Sequence, residues 1–400
     1  MADRRNDADA EIVRRVEWPE GVSRPVATPM QPSVVYAAES PDALDAQYEG
    51  RAEGYTYARE GHPNADVLAR KIDQLEGLPG GLVTGSGMAA IGAVFLGMLK
   101  SGDHVTGGDQ LYGRSMRLLQ DDLPRQGIAT SFVDCGDEDA VAAALRPETR
   151  MILLEVVSNP TLRVADIEGI ARLARARGVC LVIDNTFTTP RGFQAFDWGA
   201  DIVIHSVTKL LAGHSDATLG YVNARDAATQ EAIRVAAATW GFTPSPFDCW
   251  IAERGLYTFP LRYDRAEATA AALADHLASL DGVRRVLYPG RADHPDQARA
   301  ATLLRGRFGN MVSFELDGGR AAANALVRAM PAVPFAPTLG DIGTTLSHPA
   351  TSSHRALTPE QRAALGMSEG FFRVSVGCEE PERLLAEFSA GVAAAAGAGG

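Results

Sequence analysis

A lysine bracketed by hydroxyls closes an apolar run. Ile202, Val203 and Ile204 lead into "HSVTKLLAGHSD", which sets Ser206, Thr208 and Lys209 at the end of a short buried strand. An ammonium group is costly to bury at such a place, but an amine that can shed its proton there is a nucleophile. The preceding apolar run, "CLVID", ends on Asp184, and the carboxyl ends of parallel strands are where open α/β sheets bind ligands. Taken singly, an aspartate in that position is more often an N-cap or turn residue. Lys209 follows at the end of the next strand, so both side chains belong to neighbouring loops on one side of the sheet. "TGSGMAAI" sets two glycines and a serine between a strand and an apolar helix, exposing backbone N–H groups that suit an anion. Tight turns use glycine as readily, and the spacing is not GxGxxG. Finally, "FFRVSVG" holds Arg373 inside a strand, where its fork suits a carboxylate and a structural ion pair is the rival.

Taken together these parts specify a cofactor. A lysine for a Schiff base, an aspartate for a pyridinium nitrogen, and glycines and hydroxyls for a phosphate are what pyridoxal 5'-phosphate (PLP) requires. Arg373 is then left for the carboxylate of an amino acid.

The elements that must position these residues follow from periodicity. "ADVLARKIDQLEG" has Leu68, Ile72 and Leu75 at helical spacing and stops at Gly77. Beyond it, short apolar runs such as "MILLEVV", "CLVID" and "DIVIH" alternate with amphipathic helices, which predicts βαβ units and a mainly parallel sheet. After about residue 255 the alternation stops. A long helix, two strands ("MVSFELDGG" and "FFRVSVG") and further helices predict a smaller α+β unit, with the terminal "AAAAGAGG" fraying. Residues 1–60 are punctuated by prolines and read as irregular, giving an N-terminal extension (1–60), an α/β domain (61–255) and an α+β domain (256–400).

Composition limits the alternatives. The 400 residues are 46% hydrophobic and 22% charged, an ordinary globular balance. A net charge of −12 without a basic run argues against nucleic acid as a partner. No apolar stretch is long enough for a membrane span, and the charged start lacks a signal-peptide core. Cys135, Cys180, Cys249 and Cys378 are widely spaced, which predicts neither a metal site nor a disulfide framework. A cytoplasmic location is expected.

Ordered motifs carry a resemblance. "YTYAREGHPN", "GSGMAAI", "LYGRS", "SNPTLRVADI", "VIDNTFTTP", "HSVTKLLAGHSD", "SPFDCW", "SHPATSSH" and "FRVSVG" make the chain similar, from about residue 25 to 390, to the Cys/Met-metabolism PLP enzymes. These are the trans-sulfuration family of cystathionine synthases and lyases and methionine γ-lyases. The resemblance implies an aspartate aminotransferase-like, fold type I architecture. It implies that Lys209 carries the cofactor as a Schiff base, that Asp184 pairs with its ring nitrogen, and that Gly87, Met88, Ser206 and Thr208 contact its phosphate. Tyr57 and Arg59 are implied to reach the phosphate of a neighbouring subunit, making a homodimer with shared sites that assembles to a tetramer. Tyr112 is implied to stack on the ring and to protonate a leaving group, with Asn159 and Arg373 near the substrate carboxylate and Thr338 and Arg114 at the substrate pocket.

Three departures bear on substrate. Leu210 stands where the family has Tyr, Arg114 where a small residue follows "YG", and Pro337–Thr338 where cystathionine-handling members have a glutamate followed by serine. The expected activity is a carbon–sulfur lyase acting on a methionine-like, homocysteine-like or cystathionine-like amino acid. The alternative is γ-replacement on an O-activated homoserine. A transaminase is a second class, and a non-catalytic dinucleotide-binding module a third that leaves Lys209, Asp184 and Arg373 unexplained.

Overall fold

The computed structural model describes residues 22–355 and 357–398. Its larger sheet has seven strands: β1 (Leu82–Thr84), β2 (His104–Gly108), β3 (Ala129–Val133), β4 (Thr149–Glu155), β5 (Cys180–Asp184), β6 (Ile202–His205) and β7 (Gly220–Ala224), in the order β1-β7-β6-β5-β4-β2-β3. From β6 to β3 every neighbour is parallel, while β7 runs antiparallel to both β6 and β1. The central strands are apolar throughout because helices cover both faces. A smaller antiparallel sheet contains β8 (Val283–Leu287), β9 (Met311–Leu316), β10 (Thr345–Ser347) and β11 (Phe371–Ser375), ordered β10-β11-β9-β8.

Local sequence explains the helices that frame the site. α1 (Pro63–Glu76) opens with Pro63 at its first position and ends on Gly77 in the left-handed region. α2 (Gly87–Met98) is capped by Ser86, whose Oγ accepts the Ala89 N–H at 3.0 Å, and buries Ala90, Ile91, Val94 and Phe95. α3 (Phe259–Ala278) serves two cores. Phe259 and Tyr263 pack with Val207, Leu210 and Leu211 beside the large sheet, while Leu273 and Leu277 pack with Phe314 and Phe372 on the small one.

Several sequence expectations need correction. The C-terminal part has four strands where two were expected: β8 is "VRRVL", whose Arg284 and Arg285 hide its strand character, and β10 has only three residues. The glycine and asparagine of β7, "GYVNA", similarly mask a buried strand. A helix at Pro41–Tyr48 interrupts the stretch expected to be irregular, with Ser40 as its N-cap. The C-terminal helix runs to Ala398 with Val392 and Ala395 buried, so helix extends into the stretch expected to fray, whose last two residues, Gly399 and Gly400, lie outside the described residues. Among the described residues no helix is long and apolar enough to cross a membrane.

The small core rests on stacked aromatic rings, with Phe314 and Phe372 centroids 5.6 Å apart and both side chains fully buried. Phe372→Ala should therefore cost about 3–5 kcal/mol, read as a lower urea midpoint. A loss below about 1 kcal/mol would mean that the cavity collapses.

Candidate active site

The parallel pairing of β5 and β6 puts Asp184 beside Ile204 and brings the two strand ends to one edge. Beyond β6 the chain turns tightly: the Lys209 N–H donates to Ser206 O at 3.1 Å and the Gly213 N–H to Lys209 O at 2.8 Å. Val207, Leu210 and Leu211 drive this turn into the core, which leaves Ser206, Thr208 and Lys209 facing outward. Lys209 Nζ donates to Thr338 Oγ1 at 3.3 Å. Burial, and then the Arg373 charge, lower the Lys209 pKa.

Two contacts hold the turn from behind. Gly340 lies at φ +79°, and a Cβ there would come within 2.5 Å of the Leu210 nitrogen, so only glycine allows the approach. Buried Arg262 donates to Leu210 O (2.9 Å), Leu211 O (3.1 Å) and Gly255 O (2.9 Å). Its charge is spent on carbonyls that would otherwise be orphaned.

Around Lys209 the other expected residues assemble. Asp184 accepts from the Thr186 N–H (3.1 Å) and Thr186 Oγ1 (2.5 Å), while burial raises its pKa. Gly87, the first residue of α2, lies so close to Ser206 that an added Cβ would stand 2.8 Å from the Ser206 Cβ, so the helix N-terminus and that hydroxyl share one recess. Met88 is half-buried beside it. The Thr208 hydroxyl donates to Leu219 O (3.1 Å) and accepts the Leu219 N–H (2.9 Å), which leaves Ser206 the freer phosphate donor.

On β11, Arg373 is 5% exposed. It donates from Nη1 to Asn159 Oδ1 (2.7 Å) and from Nη2 to Thr338 O (2.8 Å), and its Nε is buried without a partner. Burial pulls its pKa down to about 10. No carboxylate lies within ion-pair distance of it among the described residues, and the nearby Glu155 raises its pKa less than burial lowers it.

Tyr112 is 43% exposed at the start of the turn Gly113–Arg117, and Arg114 is exposed on that turn. Tyr57 is 41% exposed, with the Arg59 guanidinium 5.2 Å from its ring centroid.

Two residues of the site escaped the sequence reading. Glu155 ends β4 as Asp184 ends β5, so a charge closing an apolar strand was the available signal. Arg262 lies within a helix, and nothing in its spacing marks it.

The recess, the desolvated lysine and the strand-end carboxylate fit PLP, and the chain has the fold type I architecture of PLP-dependent enzymes. The sequence profile described as Cys/Met metabolism PLP-dependent enzyme matches residues 9–393. The chain is 36% identical over 380 residues to cystathionine beta-lyase of Bacillus subtilis (strain 168), covering 95% of each. It is 37% identical to L-methionine gamma-lyase of Pseudomonas putida, covering 91% of this chain and 90% of the relative. The crystal structure of cystathionine gamma synthase from Xanthomonas oryzae pv. oryzae in complex with cystathionine superposes with a TM-score of 0.88 at 36% identity, over 93% of this chain and 94% of that one. The chain belongs to the Cys/Met metabolism PLP-dependent enzymes and is a PLP-dependent enzyme of the trans-sulfuration type.

The depressed Lys209 pKa has a consequence for stability. Between that lowered value and the ordinary lysine range, near 10.4, the unfolded chain binds the proton that the folded chain releases, so stability rises with pH. In protein stripped of PLP, Lys209→Met should be more stable than wild type at neutral pH, and the gap should close as pH approaches that range. Urea unfolding across pH checks this, and a pH-independent gap would assign the effect to packing.

Proposed function

We propose that the enzyme is a carbon–sulfur lyase that releases a thiol from a methionine-like or homocysteine-like amino acid by α,γ-elimination, leaving an oxo acid and ammonia. The carrying observation is Arg373, buried beside Lys209 with an unpaired Nε and no carboxylate of its own. It suits the α-carboxylate of a substrate whose amine must reach Lys209.

In this proposal Lys209 is the covalent attachment point, Asp184 holds the ring nitrogen, and Gly87, Met88, Ser206 and Thr208 hold the phosphate. Once bound, PLP supplies an electron sink that acidifies the substrate Cα–H. Lys209, its proton affinity reduced by burial, moves the α- and β-protons as a neutral amine. Tyr112 covers the ring and gives its phenol proton to the departing sulfur. Asn159 and Thr338 orient Arg373, which fixes the α-carboxylate.

Pro337 and Arg114 bear on the distal end of the substrate. Cystathionine carries an ammonium there that a nearby carboxylate serves best, and Pro337 supplies none. A charge-assisted hydrogen bond missing from a partly buried pocket costs about 1.5–3 kcal/mol. Arg114 attracts the distal carboxylate of cystathionine and repels its ammonium. Methionine and homocysteine carry neither charge. γ-Replacement on an O-activated homoserine is the second reading, supported by the likeness to a cystathionine gamma synthase. Both readings use the same residues.

The test is a screen of methionine, homocysteine, cystathionine and O-acyl-homoserines, with and without added thiol, scored for oxo acid, ammonia and thioether. Methionine or homocysteine should show the higher kcat/KM, and Pro337→Glu should narrow the gap to cystathionine. A wild-type preference for cystathionine would overturn the electrostatic argument, and thioether formation would favour replacement.

Exposed Tyr57 and Arg59 support a site completed by a second copy of the chain, in which they meet the neighbour's phosphate group. Mixing inactive Arg59→Ala with inactive Lys209→Ala protein should restore activity, because each hybrid dimer holds one intact site. Hybrids that form yet stay inactive would place both residues in the site of their own chain.

A further inference from the structure

Glu155 and Asp184 are register partners on β4 and β5. Neighbouring strands lie about 4.8 Å apart and paired residues share a face, so two carboxyl groups stand side by side at the edge that bears Lys209. The two are not equivalent. Asp184 accepts two hydrogen bonds from Thr186. Glu155 Oε1 accepts one, from the Tyr112 N–H at 2.7 Å, and its Oε2 is buried without a partner. Two guanidinium groups lie near: Arg163, which lines the same small cavity as Glu155, is committed to Asp109 and Asp134, and Arg373, whose charge favours the Glu155 carboxylate less than burial and Asp184 disfavour it, is committed to Asn159 Oδ1 and Thr338 O. Adjacent carboxylates in a desolvated place cannot both ionise at low cost. The better-bonded Asp184 keeps the charge and Glu155 keeps the proton. Burial first, and then the Asp184 charge, push the Glu155 pKa well above the carboxylate range, in agreement with this ordering.

We propose that Glu155 is a positioning residue for Tyr112: a neutral carboxylic acid that fixes the amide from which the Tyr112 side chain hangs, and that leaves Asp184 as the one anion at the strand ends. The role rests on the proposed function, in which Tyr112 covers the cofactor. Glu155 Oε1 accepts the Tyr112 N–H whether or not the carboxyl is ionised, but only the neutral form avoids opposing Asp184.

The test uses the PLP-loaded enzyme and its Glu155→Gln, Glu155→Ala, Tyr112→Ala and Glu155→Ala/Tyr112→Ala variants. The readouts are PLP affinity, measured by dialysis, and the pH midpoint of the bound cofactor's visible absorbance. Glutamine keeps a carbonyl acceptor and carries no charge, so Glu155→Gln should stay within about threefold of wild type in affinity, with an unchanged midpoint. Glu155→Ala should weaken PLP binding by about tenfold or more, and the double variant should be no weaker than Tyr112→Ala alone. The proposal is overturned if Glu155→Gln loses affinity as Glu155→Ala does, if it moves the midpoint by about a unit or more, or if the two alanine effects add. Should Glu155→Ala fail to fold, the affinity and midpoint of Glu155→Gln decide. Borohydride reduction of the wild type is the control: an adduct on Lys209 upholds the proposed site, and an adduct on Lys71 or Lys100 removes it whatever the variants do.

Discussion

Lys209, Arg373, Asp184 and Glu155 are gathered at one edge of the large sheet, where burial disfavours the charged form of each. Such a group is stable only if it finds a partner or changes protonation state. The fold gives each an incomplete answer: carbonyl and amide oxygens for Arg373, a hydroxyl for Lys209, Thr186 for Asp184 and a backbone amide for Glu155. What Arg373 and Asp184 lack is an oppositely charged group in direct contact. In the proposed function the α-carboxylate of an amino acid and the ring cation of the cofactor supply it, so binding would relieve a strain that folding leaves in place. The apolar packing of β4, β5 and β6 bears the cost, since these strands hold the groups there however poorly they are matched.

Much of this arrangement is legible in the sequence, for a physical reason. Lys209 and Asp184 close apolar runs, and a charge at such a break marks a position that a cap, a turn or a ligand must explain. The parallel order of the central strands follows from the same runs alternating with amphipathic helices. What stayed hidden depends on contacts made across long stretches of chain. Arg262 acts on carbonyls some fifty residues away, and its helix looks like any other until the fold brings Leu210 and Leu211 to it. Glu155 carried the signal that revealed Asp184, but its meaning comes from register with the next strand. β8 and β10 were obscured by surface arginines and by shortness, which are properties of edge strands.

In the proposed function, substrate choice falls mostly to the other sheet. Arg373 belongs to β11, and Thr338, which touches both Lys209 and Arg373, lies in the segment entering β10. The residues proposed to hold the cofactor, Asp184, Ser206 and Lys209, come from the large sheet and its loops. On that proposal, replacing Pro337 or Thr338 would alter which side chain is accepted while β5 and β6 keep the chemistry. Gly340 limits this freedom, because its backbone leans on Leu210, next to Lys209 itself.

The long helix α3 bears on how the molecule comes apart. Its first turns are walled into the core behind Lys209, where Arg262 is tied to the lysine turn, and its last turns into the core of the small sheet. Loosening of the small sheet cannot stop at its own boundary, because the helix that leaves one core is the helix that braces the other. Amide protons in the turn after β6 should thus exchange with solvent in the same cooperative event as those of β9 and β11, and the lysine loop behaves as part of a single foldon that spans both sheets.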